Sequence, residues 1–136
     1  NYENAKDSLL SALKLEYQEA MALLGRIYLE MGDVVSARAM YQEYLSENEN
    51  GGKAYNGLAV CDIYEKDYDG ALANIQKGLS LSGEEDKRGL LYNEIVAYEY
   101  KLDFSTAKAK MAEFLTLYPE DEMNFFLPDS RRNRYV

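Results

Sequence analysis

The stretch Asp33-Val34-Val35-Ser36-Ala37-Arg38-Ala39-Met40-Tyr41-Gln42-Glu43-Tyr44-Leu45 decides the fold, because its pattern recurs along the chain. A short polar residue is followed by an apolar one, then by alanine, and then by two further apolar positions. Asp67-Tyr68 with Ala71, Ile75 and Leu79 repeats it, as does Asp103-Phe104 with Ala107, Met111 and Leu115. Asn1-Tyr2 with Ala5, Leu9 and Leu13 is a fourth copy. Asp or Asn at the head accepts hydrogen bonds from the orphaned amides of a first helical turn, worth about 1 kcal/mol, and so marks where each helix begins. The three- and four-residue spacings that follow put the apolar positions on one helical face. Alanine marks the closest approach of two backbones, where a larger residue would cost about 1 to 3 kcal/mol by overpacking. The four alanines recur at about 34 residues, the separation of a stacked helical repeat.

A second type of segment lies between these helices. Met21, Leu24, Gly25, Tyr28 and Gly32 precede the second copy, Tyr55, Leu58, Ala59 and Asp62 the third, and Leu91, Ile95 and Tyr98 the fourth. Offsets of three, four and seven again mark one helical stripe, so each pair of segments predicts a helical hairpin. With Leu24, Gly25, Tyr28, Gly32, Ala37, Tyr41 and Leu45 in place, the chain resembles the tetratricopeptide repeat family, whose period and signature this spacing matches. Asp62 stands where that family has an aromatic and Glu94 where it has leucine, while Pro119 falls in the closing-proline slot.

The resemblance implies an all-α fold: a right-handed α-solenoid of antiparallel helix pairs with about three and a half repeats. Residues 1–16 read as the second helix of a truncated repeat, 17–51, 52–86 and 87–121 as complete units, and 122–136 as a cap segment with a basic tail. In that last segment Met123, Phe125, Phe126 and Leu127 begin another helix that Pro128 stops. They read as a cap over the last hairpin, since terminal repeats must shield an open core, or as a surface that docks on a second molecule. Arg131, Arg132 and Arg134 then form the tail.

At 136 residues and 47% apolar content the chain suffices for one continuous core. No run approaches the roughly 18 apolar residues of a membrane span. No leader peptide is visible, and a chain opening on half a hairpin reads as excised from a longer protein. The default location is cytoplasmic, or exported or anchored if an upstream signal has been removed. A net charge of −9 disfavours nucleic acid and anionic membrane and favours neutral or basic partners, or simply keeps a helical array soluble.

Catalytic motifs fail on inspection, so the chain reads as no enzyme, with no cofactor and no metal. The absence of histidine removes the commonest general base and metal ligand. Gly51-Gly52-Lys53-Ala54 lacks the upstream glycine and the Ser or Thr of a phosphate loop. Asp67-Tyr68-Asp69-Gly70 is too short for a calcium loop, and Asp67 is already explained as a cap. Glu84-Glu85 sits where acidic side chains favour a helix N-terminus. Cys61, mid-helix and without a base, reads as a small core residue rather than a reactive thiol.

What remains is surface. By resemblance, the first helices of successive hairpins line a concave groove that holds a partner polypeptide. The groove candidates are Arg26, Leu29 and Glu30 with Glu19 and Ala22, then Asn56, Val60, Ile63 and Tyr64 with Lys53, then Tyr92, Val96, Glu99 and Tyr100 with Gly89. Tyr64, Tyr92 and Tyr100 would make it a tyrosine-lined trough, whereas Tyr28, Tyr41, Tyr55 and Tyr98 read as packing residues. Ala22, Arg26, Gly57, Gly89 and Asn93 occupy positions where, by resemblance, a well-known subfamily grips a terminal carboxylate with lysines, asparagines and an arginine, so most of that clamp is absent and acidic chaperone tails are disfavoured. The expected function is a non-catalytic protein-binding module. The alternative is a structural spacer, or a section of a longer scaffold that self-associates through its ends.

Overall fold

Three turns built to one design set the hairpins. In each, the closing residue adopts a left-handed conformation: Gly32 at φ 79°, Lys66 at φ 65° and Leu102 at φ 68°. The amide after it reaches back to a carbonyl five residues earlier, Asp33 to Tyr28 and Asp67 to Asp62 at 2.8 Å, Asp103 to Tyr98 at 3.0 Å. Such bonds satisfy the orphan carbonyls of the ending helix. The same aspartate caps the next helix, its Oδ1 accepting from Ser36 N at 3.1 Å, Gly70 N at 3.0 Å and Thr106 N at 3.2 Å. Only the first turn uses glycine. Leu102 is 71% exposed, so Leu102→Gly removes a left-handed penalty of about 1 kcal/mol without losing packing. A rise in thermal midpoint is the expected result of that substitution.

The computed structural model describes residues 2–47, 51–81 and 83–121. These hold six α-helices and no strand: α1 Tyr2–Glu30, α2 Val34–Glu47, α3 Gly52–Tyr64, α4 Tyr68–Leu81, α5 Glu84–Tyr100 and α6 Phe104–Leu117, with a closing 3-10 turn at Pro119–Asp121. None of these helices is long and apolar enough to cross a membrane. Each helix packs on the next, and α3 also touches both α1 and α5, so the hairpins stack in chain order. Two cores result, one shared by α1, α2 and α3 and one spanning α3 to α6. The cap segment and basic tail read at 122–136 lie outside the described residues, as does the cap read at Asn1.

One boundary differs from expectation. The sequence reading ended a helix at residue 16 and opened a new unit at 17, but α1 runs unbroken through 29 residues. Leu13 to Ala20 contains no glycine, proline, asparagine or aspartate, so nothing there stops a helix whose every residue propagates it. The consequence is an unaccompanied half. Residues 2–17 are all exposed, Ala5 included, whereas Ala37, Ala71 and Ala107 of the other three copies are buried at helix contacts as the pattern required.

Tyr41 is the wedge of the first core. Its ring, carried by α2, enters between Gly25 of α1 and Gly57 of α3. A Cβ built on Gly25 would stand 2.6 Å from the ring, and one on Gly57 would collide with it outright. The two glycines therefore admit the ring that holds three helices together.

Two buried carboxylates link successive hairpins. Asp62 of α3 accepts from Arg38 Nη2 of the preceding hairpin at 2.8 Å and from Asn74 Nδ2 of its own hairpin at 2.6 Å. Glu94 of α5 repeats this with Gln76 Nε2 at 2.6 Å and Lys110 Nζ at 3.7 Å. Each carboxylate thus has one partner on the preceding hairpin's second helix and one on its own. These are the two positions where the sequence departed from an apolar signature, and the departures are paired rather than stranded.

Candidate functional site

The face formed by α1, α3 and α5 carries an open cleft of about 460 Å³. Its walls are Glu19, Leu23 and Arg26 from α1, Lys53 and Asn56 from α3, and Glu85, Asp86 and Arg88 from α5. Ala22, Tyr41 and Gly89 complete the lining. The lining is mostly charged, with the Asn56 amide and the apolar Ala22 and Leu23 among the charges. Tyr41, only 2% exposed, has its hydroxyl proton held far above the ordinary range by burial.

Several charges of the lining are paired, within a helix or across helices. Lys53 Nζ of α3 lies 3.2 Å from Glu19 Oε2 of α1. Arg26 meets Glu30 at 3.5 Å one turn on, and Arg88 meets Glu120 at 3.2 Å while its guanidinium sits 5.0 Å from the Tyr118 ring. Asp86 is half-buried, and burial pushes its carboxyl above the usual range, with Glu85 and Glu19 adding to the rise and Lys53 opposing it. A cation entering this corner would lower that cost, so the α5 side of the cleft favours positive charge.

Beneath the rim, α3 and α5 are joined by buried amides. Asn93 Nδ2 donates to Asn56 Oδ1 at 2.8 Å, and Asn93 is fully buried. Its own Oδ1 is enclosed without a hydrogen-bond partner. Asn56, at 6% exposure, is the member of the pair that reaches the cleft. Its amide offers the kind of contact that reads polypeptide backbone rather than a charged group.

The placement of the sequence-expected residues is uneven. Arg26 and Asn56 line the cleft; Glu30 and Tyr64 are exposed but outside its lining. Leu29, Val60, Ile63, Tyr92 and Val96 are buried in the two cores, so they offer no trough surface. Glu99 is 8% exposed. Of the three trough tyrosines Tyr92 is fully buried, Tyr100 is half-buried and Tyr64 is exposed. Tyr92 turns its edge toward Phe114 of α6, ring centres 6.0 Å apart, and Tyr100 stacks on Tyr68 of α4 at 6.0 Å. Phe114 and Tyr118, 4.9 Å apart, extend an aromatic pocket that a groove-facing Tyr92 would leave half empty.

Sequence reasoning missed Glu85, Asp86 and Arg88. The sequence places Glu84-Glu85 just before a helix, whereas α5 begins at Glu84, so Glu84, Glu85 and Asp86 form its first turn, and a helix start can serve a cleft as well. Cys61 is fully buried, and burial pushes its thiol up to about 11, so little thiolate exists at neutral pH. No protein-family model matches this chain, and no curated protein matches it significantly.

Proposed function

We propose that this chain is a non-catalytic binding module of tetratricopeptide type, a right-handed stack of hairpins that holds a partner polypeptide along the face of α1, α3 and α5. The observation that carries the reading is the polar cleft between those helices, with Asn56 at its base and Glu85 and Asp86 at its α5 edge. Periodicity supports the family: the aspartate caps, the buried alanines and the repeated turns recur at the spacing such repeats use. Recognition rests on polar complementarity rather than on tyrosine contact, because Tyr64, Tyr92 and Tyr100 are absent from the cleft lining.

The partner is a neutral or basic segment in extended form. A lysine or arginine seated beside Asp86 relieves the repulsion from Glu85 and Glu19, while the Asn56 amide engages main-chain groups. Pre-formed helices make this a docking event with little rearrangement, so little affinity is lost to ordering the site. The test is charge reversal. Glu85→Lys with Asp86→Lys should weaken capture of basic peptides by about tenfold or more; because cations in the first turn of α5 oppose the helix dipole, circular dichroism checks that the variant stays folded. Undiminished capture by the folded double variant would remove the cleft from the account.

A further inference from the structure

Helix α1 carries two opposed faces. Gln18, Ala22, Gly25 and Leu29 are buried toward its own hairpin and α3. On the other side runs a stripe spaced alternately four and three residues, Leu9, Leu13, Glu16, Ala20, Leu23 and Ile27, all exposed. Leu9 is 63% exposed, Leu13 53%, Leu23 59% and Ile27 40%. The spacing continues to Lys6 at one end and Glu30 at the other. Alternating steps of four and three define the seam of a coiled coil, and from Lys6 to Glu30 it runs roughly 36 Å along the helix.

The order of residues in this stripe selects its occupant. We propose that α1 pairs antiparallel with α1 of a second copy of this chain, along a stripe that shares only Leu23 with the cleft lining. In an antiparallel pair the two kinds of seam position face one another. Leu9 then meets Ile27 of the other copy, Leu13 meets Leu23, and Glu16 meets Ala20. Lys6 meets Glu30, and two-fold symmetry repeats every one of these layers. A parallel pair instead sets Lys6 on Lys6, Glu16 on Glu16 and Glu30 on Glu30, three like-charge layers. The self-complementary register thus comes from where the charges lie on the stripe, and its apolar layers bury the leucines now in water.

Sedimentation of the whole 136-residue chain tests this. A concentration-dependent dimer is expected. Lys6→Glu should weaken it about tenfold or more, because symmetry creates two carboxylate layers, and adding Glu30→Lys should restore it. Oxidation of a Leu9→Cys, Ile27→Cys double variant should trap the dimer covalently, whereas either single variant should not; both singles retain the buried Cys61 and control for it. A chain monomeric at all concentrations, as when another polypeptide covers this face in a larger protein, overturns the proposal. So does cross-linking of Leu9→Cys alone, the mark of a parallel pair, or a charge-swapped double variant that stays weakened.

Discussion

Tyr41→Ala should lower the free energy of unfolding by about 3 to 5 kcal/mol, the largest loss expected from any one side chain here. The ring is 2% exposed and joins α2 to α1 and α3, so its removal opens a cavity between Gly25 and Gly57, neither of which has a side chain to fill it. Gly57→Ala attacks the same joint from the other direction. Its methyl collides with the ring, and the ring has no room to retreat because Gly25 bounds its far side. The expected cost is about 1 to 3 kcal/mol. Urea denaturation followed by circular dichroism measures both. A loss below about 1 kcal/mol for Tyr41→Ala would mean that the wedge is not what holds α1 to α3.

The second large effect separates two carboxylates that look alike. Asp62→Ala should cost about 3 kcal/mol, because it leaves the Arg38 guanidinium and the Asn74 amide without their buried acceptor. Arg38 keeps Glu65 at 3.0 Å, which holds the loss to the lower end for a broken buried pair. Glu94→Leu should go the other way and stabilise by about 1 to 2 kcal/mol, since Lys110 at 3.7 Å is a distant partner and Lys110 and Gln76 both reach solvent once released. The pH dependence follows. Burial holds the Glu94 carboxyl above its ordinary 4.5, outweighing Lys110 and the Gln76 hydrogen bond. In the window from that value up to the folded one, the native state binds more protons than the unfolded chain, so its stability falls as pH rises. Glu94→Gln should flatten that fall. Asp33 and Asp103 act in the opposite sense: hydrogen bonds from the Ser36 and Thr106 side chains, and then from their amides, lower the carboxyls, and the stability they add is lost as pH drops through the acid range.

Local signals in the sequence were read accurately and non-local ones were not. Asp33, Asp67 and Asp103 announced their helices because a cap acts on amides three residues away, within one window of sequence. Ala37, Ala71 and Ala107 were legible for a similar reason, as small residues inside a strong apolar period. The continuity of α1 was obscured by that same period, which suggested a boundary where no residue breaks the helix. Gly57 gave no warning of its role, since its necessity resides in a ring from another helix. The burial of Asp62 and Glu94 depends likewise on donors from flanking helices. Tyr92 illustrates the limit most clearly: position along the helix placed it near the trough, but Phe114 of α6 decides where its ring goes.

The most direct test is amide chemical-shift mapping of the isotopically labelled chain against a pooled library of unstructured peptides, divided into acidic, neutral and basic sets. The account predicts shifts concentrated at Glu19, Lys53, Asn56, Glu85 and Asp86, with the basic set strongest and the acidic set silent. Shifts confined to other surfaces, or an acidic set that binds best, would contradict it.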